Sequence, residues 1–269
     1  MASTLKEQGY RKALVTGTSS GIGLALADAL IAEGLLVVGV SRRHARINSD
    51  RYTHLSIDLL KEADLKTLQS HTWADPPEIW INNAGQGLIG DAWCPSVDAI
   101  EFNRRLLYDV PVQLSRHFKE ILQEASICPV APYLVQVSSL AVELPIPNMP
   151  YYNAAKSALS AFSQSLLLDK NLPFKLIDLR PGDYDTGFME AVSIQESSIS
   201  GSSAHKKFIA QHKKAPKPEL AARFLVQSLR SQRSGILRCG DFFQSKIAPL
   251  GTRLLPSKLL HSLIRTYYK

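Results

Sequence analysis

The chain has 269 residues, 45% of them hydrophobic and 20% charged, with 15 glycines, 15 prolines and 3 cysteines. That composition excludes extended disorder, a collagen-like repeat and a disulfide scaffold, and it supplies enough apolar residues for one large core. The net charge of +7 is uneven, because from His205 onward 14 Lys and Arg stand against only Glu219 and Asp241.

Ala13 to Thr16 reads as a short buried strand. Ile22, Ala25, Leu26, Ala29 and Leu30 then recur at helical spacing until Gly34 stops them. Leu35 to Val40 is the next strand and Tyr52 to Ile57 alternates as a third. A polar helix from Lys61 to Gln69 precedes a strand at Ile79 to Asn82. A helical stretch over Val97 to Leu122 leads to the strand Tyr133 to Val137, then to a long helix over Tyr151 to Leu168. Phe174 to Leu179 and Gly235 to Cys239 complete the strands. This alternation predicts an α/β, Rossmann-type doubly wound parallel sheet in a single domain. The serine-rich Val192 to Ser203, running into a Lys/His/Pro stretch, is expected to form a substrate lid over about 187–218, because open α/β sheets bind ligands beyond strand carboxyl ends.

Between the first strand and first helix stand Thr16, Gly17, Thr18, Ser19, Ser20, Gly21, Ile22 and Gly23. Glycines at such a corner let the backbone approach a pyrophosphate at the helix N-terminus, where free N–H groups favour anions. No Gly-Lys-Ser/Thr follows, which argues against a nucleoside triphosphate loop. The second strand ends in Ser41, Arg42 and Arg43 rather than in an acid. Two guanidinium groups there suit a ribose 2′-phosphate and favour NADPH over NADH.

Tyr152 and Lys156 share one helix face, in the only Tyr-x-x-x-Lys of the chain, and Ser138-Ser139 closes a strand upstream. An ammonium at about 5 Å, in an effective dielectric of ~20, favours the phenolate by roughly 3 kcal/mol. That brings Tyr152 within range of general acid–base work near neutral pH.

These motifs, together with Asn82-Asn83-Ala84-Gly85 and Pro181-Gly182, occur in the order of the short-chain dehydrogenases/reductases, which the sequence resembles over about residues 11 to 186. The 13-residue gap from Ser139 to Tyr152 is similar to that family's spacing and favours Ser139 over Ser138. The resemblance implies that Ser139 holds a substrate carbonyl, that Tyr152 moves the hydroxyl proton, and that Lys156 bonds the nicotinamide ribose. It further implies cofactor contacts from the Gly17–Gly23 turn, Asp58, Leu59, Asn83, Ala84, Gly85, Pro181, Gly182, Tyr184 and Thr186. In the family a valine often stands where Tyr184 does, so its ring either borders the nicotinamide or points to solvent. The family's helix Asn, which supports a water relay, matches Asn103 by residue type or Leu107 by position.

The expected activity is NADPH-dependent hydride transfer between nicotinamide and a carbonyl or secondary alcohol, with Leu140, Val142, Leu144 and Met189 suggesting an apolar substrate. The alternative is a non-catalytic NADP(H)-binding regulatory protein. No recognised nucleic-acid motif accompanies the basic tail, so nucleic acid is not an expected partner. Met1 to Tyr10 is polar, unlike a signal peptide, and no segment approaches the ~20 apolar residues of a membrane span. Cys94, Cys128 and Cys239 are an odd, dispersed set, which predicts a reduced cytoplasmic protein with no metal site. Leu259, Leu260, Leu263, Ile264 and Tyr267 form one stripe of a basic amphipathic helix over about 256–269. Docking on its own subunit, or packing in the homodimer or homotetramer common in the family, ranks above membrane binding for that helix.

Overall fold

The structure is a computed structural model that describes residues 3–70, 75–124, 129–186, 193–194 and 215–267. Its centre is a seven-stranded, wholly parallel sheet. In chain order the strands are β1 (Lys12–Thr16), β2 (Leu36–Ser41), β3 (Tyr52–Ser56), β4 (Ile79–Asn82), β6 (Tyr133–Val137), β7 (Lys175–Pro181) and β9 (Gly235–Cys239). They lie in the order β3-β2-β1-β4-β6-β7-β9, so the direction of winding reverses between β1 and β4. A small parallel pair, β5 (Leu88–Ile89) with β8 (Ser193–Ile194), stands apart.

Alternate residues of the strands feed two separate cores. Val15, Ile81, Val135 and Ile177 face one side, under helices α1 (Gly21–Ala32) and α6 (Pro218–Arg230). Leu14, Trp80, Leu134 and Leu176 face the other, with α2 (Glu62–Gln69) and α4 (Val110–Glu124). A strand buried on both faces needs the near-continuous apolar runs seen here, which is why the strands were legible. The fold is the Rossmann-type single domain expected from the sequence.

Some boundaries and elements differ from that expectation. The stretch Val97 to Leu122 comprises α3 (Val97–Arg104), one π-helical turn at Arg105–Asp109, and α4. Helix α5 runs Pro150–Leu166, with Pro at its start, where a missing N–H costs nothing. Helix α6 went unread, although Ala221, Ala222, Leu225, Val226 and Leu229 carry a helical period and are buried. Beyond β9 the chain forms a π-helical turn at Phe243–Ile247, then α7 (Ala248–Leu254) and α8 (Ser257–Tyr267). Most of the expected lid, with Met189, lies outside the described residues. No described helix is long and apolar enough to cross a membrane.

Candidate active site

A long cleft runs along the carboxyl ends of the strands, across the point where the strand order reverses. Its first half is built by the glycine turn. Gly17 adopts φ +77° and Gly21 φ +59°, conformations that favour residues without a Cβ. A Cβ on Gly17 would stand 2.8 Å from Ala84 Cα, and one on Gly21 3.0 Å from Thr186 Cβ. Gly23 lies just behind the cleft, where a Cβ would collide with the Gly17 carbonyl and the Asn83 amide. Ser20 precedes α1 without capping it through its side chain, and the first turn of α1 carries no acid. Those free N–H groups form an anion site of the kind a pyrophosphate occupies.

Arg42 and Arg43 line the same end of the cleft, both exposed, and neither pairs with a carboxylate among the described residues. Asp58 and Leu59 lie beside them; the Asp58 carboxylate accepts the Leu60 N–H at 3.1 Å and fixes the turn after β3. Asn83 to Gly85 form the floor. Asn83 and Ala84 are tied to β1 by three bonds, in which Thr16 Oγ1 accepts the Asn83 and Ala84 N–H groups at 2.9 and 3.0 Å and the Thr16 carbonyl accepts Asn83 Nδ2 at 2.9 Å. The residues present therefore fit a nicotinamide dinucleotide.

Ser139, Tyr152 and Lys156 come together at the far half of the cleft. Ser139 stands two residues beyond β6 in extended conformation and its Oγ accepts the Ala141 N–H at 3.0 Å, which holds the side chain in place. A hydrogen bond joins the Ser139 and Tyr152 side chains. The neighbouring Ser138 instead donates to buried Asp178. Lys156 lies one turn beyond Tyr152 on α5, and its Nζ donates to the Val137 carbonyl at 2.7 Å.

The protonation states depart from the sequence argument. Burial pushes Tyr152 up to about 12, Asp183 adds to that, and the Ser139 hydrogen bond acts against it. Burial likewise pushes Lys156 down to about 8, with Asp178 opposing. Loss of solvent is the dominant cause of both shifts, because a charge buried at this depth gives up much of its hydration. Tyr152 is thus a phenol at neutral pH.

The sequence profile of the short chain dehydrogenase family matches residues 11–196. The chain belongs to this family of oxidoreductases. It is 25% identical over 274 residues to 3-ketodihydrosphingosine reductase of Bacteroides thetaiotaomicron, a match covering 95% of this chain and 97% of that protein. It is also 25% identical to the NADPH-dependent 1-acyldihydroxyacetone phosphate reductase of Saccharomyces cerevisiae, over 85% of this chain and 82% of that one. Among solved structures, a short-chain dehydrogenase from Streptomyces avermitilis superposes with a TM-score of 0.76 at 21% identity, covering 97% and 96% of the two chains.

Within this short-chain dehydrogenase, the structure shows what surrounds the positions that the family resemblance left open. Leu107, on the π-helical turn, is fully buried against Gly85 and packs in one apolar cluster with Tyr152 and Ala155. Asn103 stands a turn earlier, where its Nδ2 donates to the Gln86 carbonyl at 3.1 Å. A hydrocarbon side chain therefore borders α5. Tyr184 does not point to solvent; it is buried in the core, hydrogen-bonded to Cys239, though it still contributes to the cleft wall. Pro181, Gly182 and Thr186 line the cleft, with Thr186 against Gly21.

Three contributors were missed in the sequence. Thr16, quoted only as the start of a motif, is the anchor of the Asn83 loop. Gln244 clamps the segment after β7: its Oε1 accepts the Asp183 N–H at 3.1 Å and its Nε2 donates to Asp183 Oδ2 at 2.7 Å. The third is a buried charge cluster behind Ser139. Asp178 accepts from Ser138, from Ser160 Oγ at 2.6 Å and from Arg180 Nε at 3.0 Å, while Glu143 pairs with Arg180 and, at 2.7 Å, with Arg238. No local pattern announces Gln244 or Glu143, because their partners lie far away in sequence.

Proposed function

We propose that this protein is an NADPH-dependent reductase of ketones or aldehydes carried on an apolar body. The observation that carries the reading is the buried Ser139–Tyr152–Lys156 group at the inner end of the cleft, with its tyrosine protonated at neutral pH. NADPH would be held by the glycine turn at its pyrophosphate, by Arg42 and Arg43 at its 2′-phosphate, and by Lys156 at its nicotinamide ribose, with Asp58, Leu59, Asn83 to Gly85, Pro181, Gly182, Tyr184 and Thr186 along its length. When bound it supplies the hydride that reduces the carbonyl carbon. Ser139 donates a hydrogen bond to the carbonyl oxygen and fixes its position. Tyr152 delivers the proton to that same oxygen as the negative charge develops there, and the ammonium of Lys156 stabilises the phenolate left behind. Hydride to carbon and proton to oxygen together yield the alcohol. The name of the yeast relative supports NADPH, and those of both curated relatives support a carbonyl group as substrate.

Tyr152→Phe tests the reading. It should abolish NADPH oxidation across a panel of carbonyl compounds while cofactor binding, followed by fluorescence, stays within about twofold. Undiminished turnover removes Tyr152 as the acid. Binding of NADPH by the wild-type protein without turnover of any carbonyl would instead establish a regulatory NADP(H)-binding protein, a reading that the hydrocarbon at Leu107 favours. A cytoplasmic homodimer or homotetramer completes the proposal; light scattering with and without NADPH examines the assembly.

A further inference from the structure

The substrate half of the cleft is walled on its outer side by the helical hairpin that follows β9. Phe243 and Ile247 of the π-helical turn, and Leu260, Leu263 and Ile264 of α8, line it. The same hairpin is unusually apolar on the outside. Of the twelve large hydrophobic side chains exposed among the described residues, seven fall within the 22 residues from Phe242 to Leu263, and these are 48% to 72% exposed. Four of them, Phe243, Ile247, Leu250 and Leu254, recur at helical spacing as a single stripe. Two members of the stripe line the cleft, and the other two, Leu250 and Leu254, do not. The apolar surface is therefore continuous from the cleft wall to the outside of the molecule.

Charge indicates what covers this surface. From Phe242 to Lys269 the chain carries five Lys and Arg and no Asp or Glu. A second copy of the chain, packed by a twofold axis, would set this basic surface against itself. An anionic bilayer meets both features at once, receiving the apolar stripe at the acyl boundary and the basic groups at its headgroups. We propose that the Phe242–Leu263 hairpin seats the protein on an anionic phospholipid bilayer. There its cleft takes up a long-chain carbonyl lipid, hydrocarbon first, along the Phe243–Ile247 wall. The substrate class rests on the reductase reading above; the docking surface does not. Leu260, Leu263 and Ile264 of α8 face the cleft, whereas Leu250 and Leu254 are exposed.

The test compares the full chain with the double variant Leu250→Glu/Leu254→Glu, whose altered positions lie outside the cleft. Co-sedimentation uses vesicles of phosphatidylcholine alone and of phosphatidylcholine with phosphatidylglycerol at 3:1, at low and at high salt. The wild-type protein should bind the anionic vesicles, and the variant at least tenfold less. High salt should weaken the wild-type binding, because the basic contribution is screened. Turnover of a short, water-soluble diketone with NADPH should be equal in the two proteins, whereas turnover of a long-chain keto lipid presented in anionic vesicles should fall in the variant. Wild-type protein that ignores anionic vesicles, or a variant that sediments as well as wild type, overturns the proposal. So does a wild-type oligomer, seen in light scattering, that the variant breaks up without any vesicle binding, since that assigns the stripe to a second copy. Vesicle binding with no turnover of either ketone removes the reductase reading and the delivery step but leaves the docking surface.

Discussion

Lys156 should be expensive to keep. Its ammonium is buried and its pKa is pushed from the ordinary value of 10.5 down to about 8. At about 1.4 kcal/mol per pKa unit, holding the charge inside the fold costs about 3 kcal/mol at neutral pH. Lys156→Met removes the charge and keeps an unbranched side chain of similar reach. It also removes the bond to the Val137 carbonyl, worth about 1 kcal/mol net. The variant should therefore be more stable than the wild type by about 2 kcal/mol at pH 7, roughly 5 °C in melting temperature for a domain of this size. The pH dependence follows from the direction of the change. Between about pH 8 and 10.5 the unfolded wild-type chain binds a proton that the folded chain does not, so wild-type stability rises with pH across that window and the charge penalty fades. About 1.4 kcal/mol of it remains at pH 9.5, so the advantage of the variant should shrink to less than about 1 kcal/mol there. Denaturant unfolding at pH 7 and pH 9.5 measures both values, and carbonyl reduction should be lost at either pH. A variant that unfolds more easily than the wild type at pH 7, or an advantage that does not change with pH, would refute the argument that burial governs this lysine. Stability gained by deleting a functional charge is the usual trade between a strained site and a stable fold.

Two further substitutions address the cofactor half of the cleft. Arg42→Asp should weaken NADPH binding by about 10- to 100-fold, the loss of one charge-assisted bond, while changing NADH binding by less than about threefold; equal losses in fluorescence titration would show that Arg42 does not read the 2′-phosphate. Gly23→Ala places a methyl group against the Gly17 carbonyl and the Asn83 amide, of which the backbone atom cannot yield, so it should cost about 1–3 kcal/mol of stability and displace the glycine turn. An unchanged melting temperature together with unchanged NADPH affinity would remove the close packing as the reason for that glycine.

The sheet was legible because parallel strands covered on both faces must be written as dense apolar runs, and Leu14 to Thr16, Ile79 to Asn82 and Tyr133 to Val137 are such runs. The glycine turn and the Tyr152–Lys156 pair were legible for a related reason: both depend on residues near in sequence, held by one corner or one helix face. Helix α6 is equally local, with its period at Ala221, Leu225 and Leu229. The charge cluster was of another kind. Glu143 and Arg238 are 95 residues apart and meet only because β7 lies between β6 and β9 in the finished sheet. Spacing also could not yield the protonation state of Tyr152. The sequence places an ammonium one helical turn away and so predicts a lowered pKa, by an energy computed as if both groups remained partly solvated. In the fold both are buried, and the loss of hydration acts on the tyrosine and the lysine in opposite directions, raising one to about 12 and lowering the other to about 8. A four-residue spacing identifies the pair; how far its two pKa values are moved depends on how deeply Leu107, Ala141, Met149 and Ala155 enclose it, and those residues come from three separate stretches of the chain.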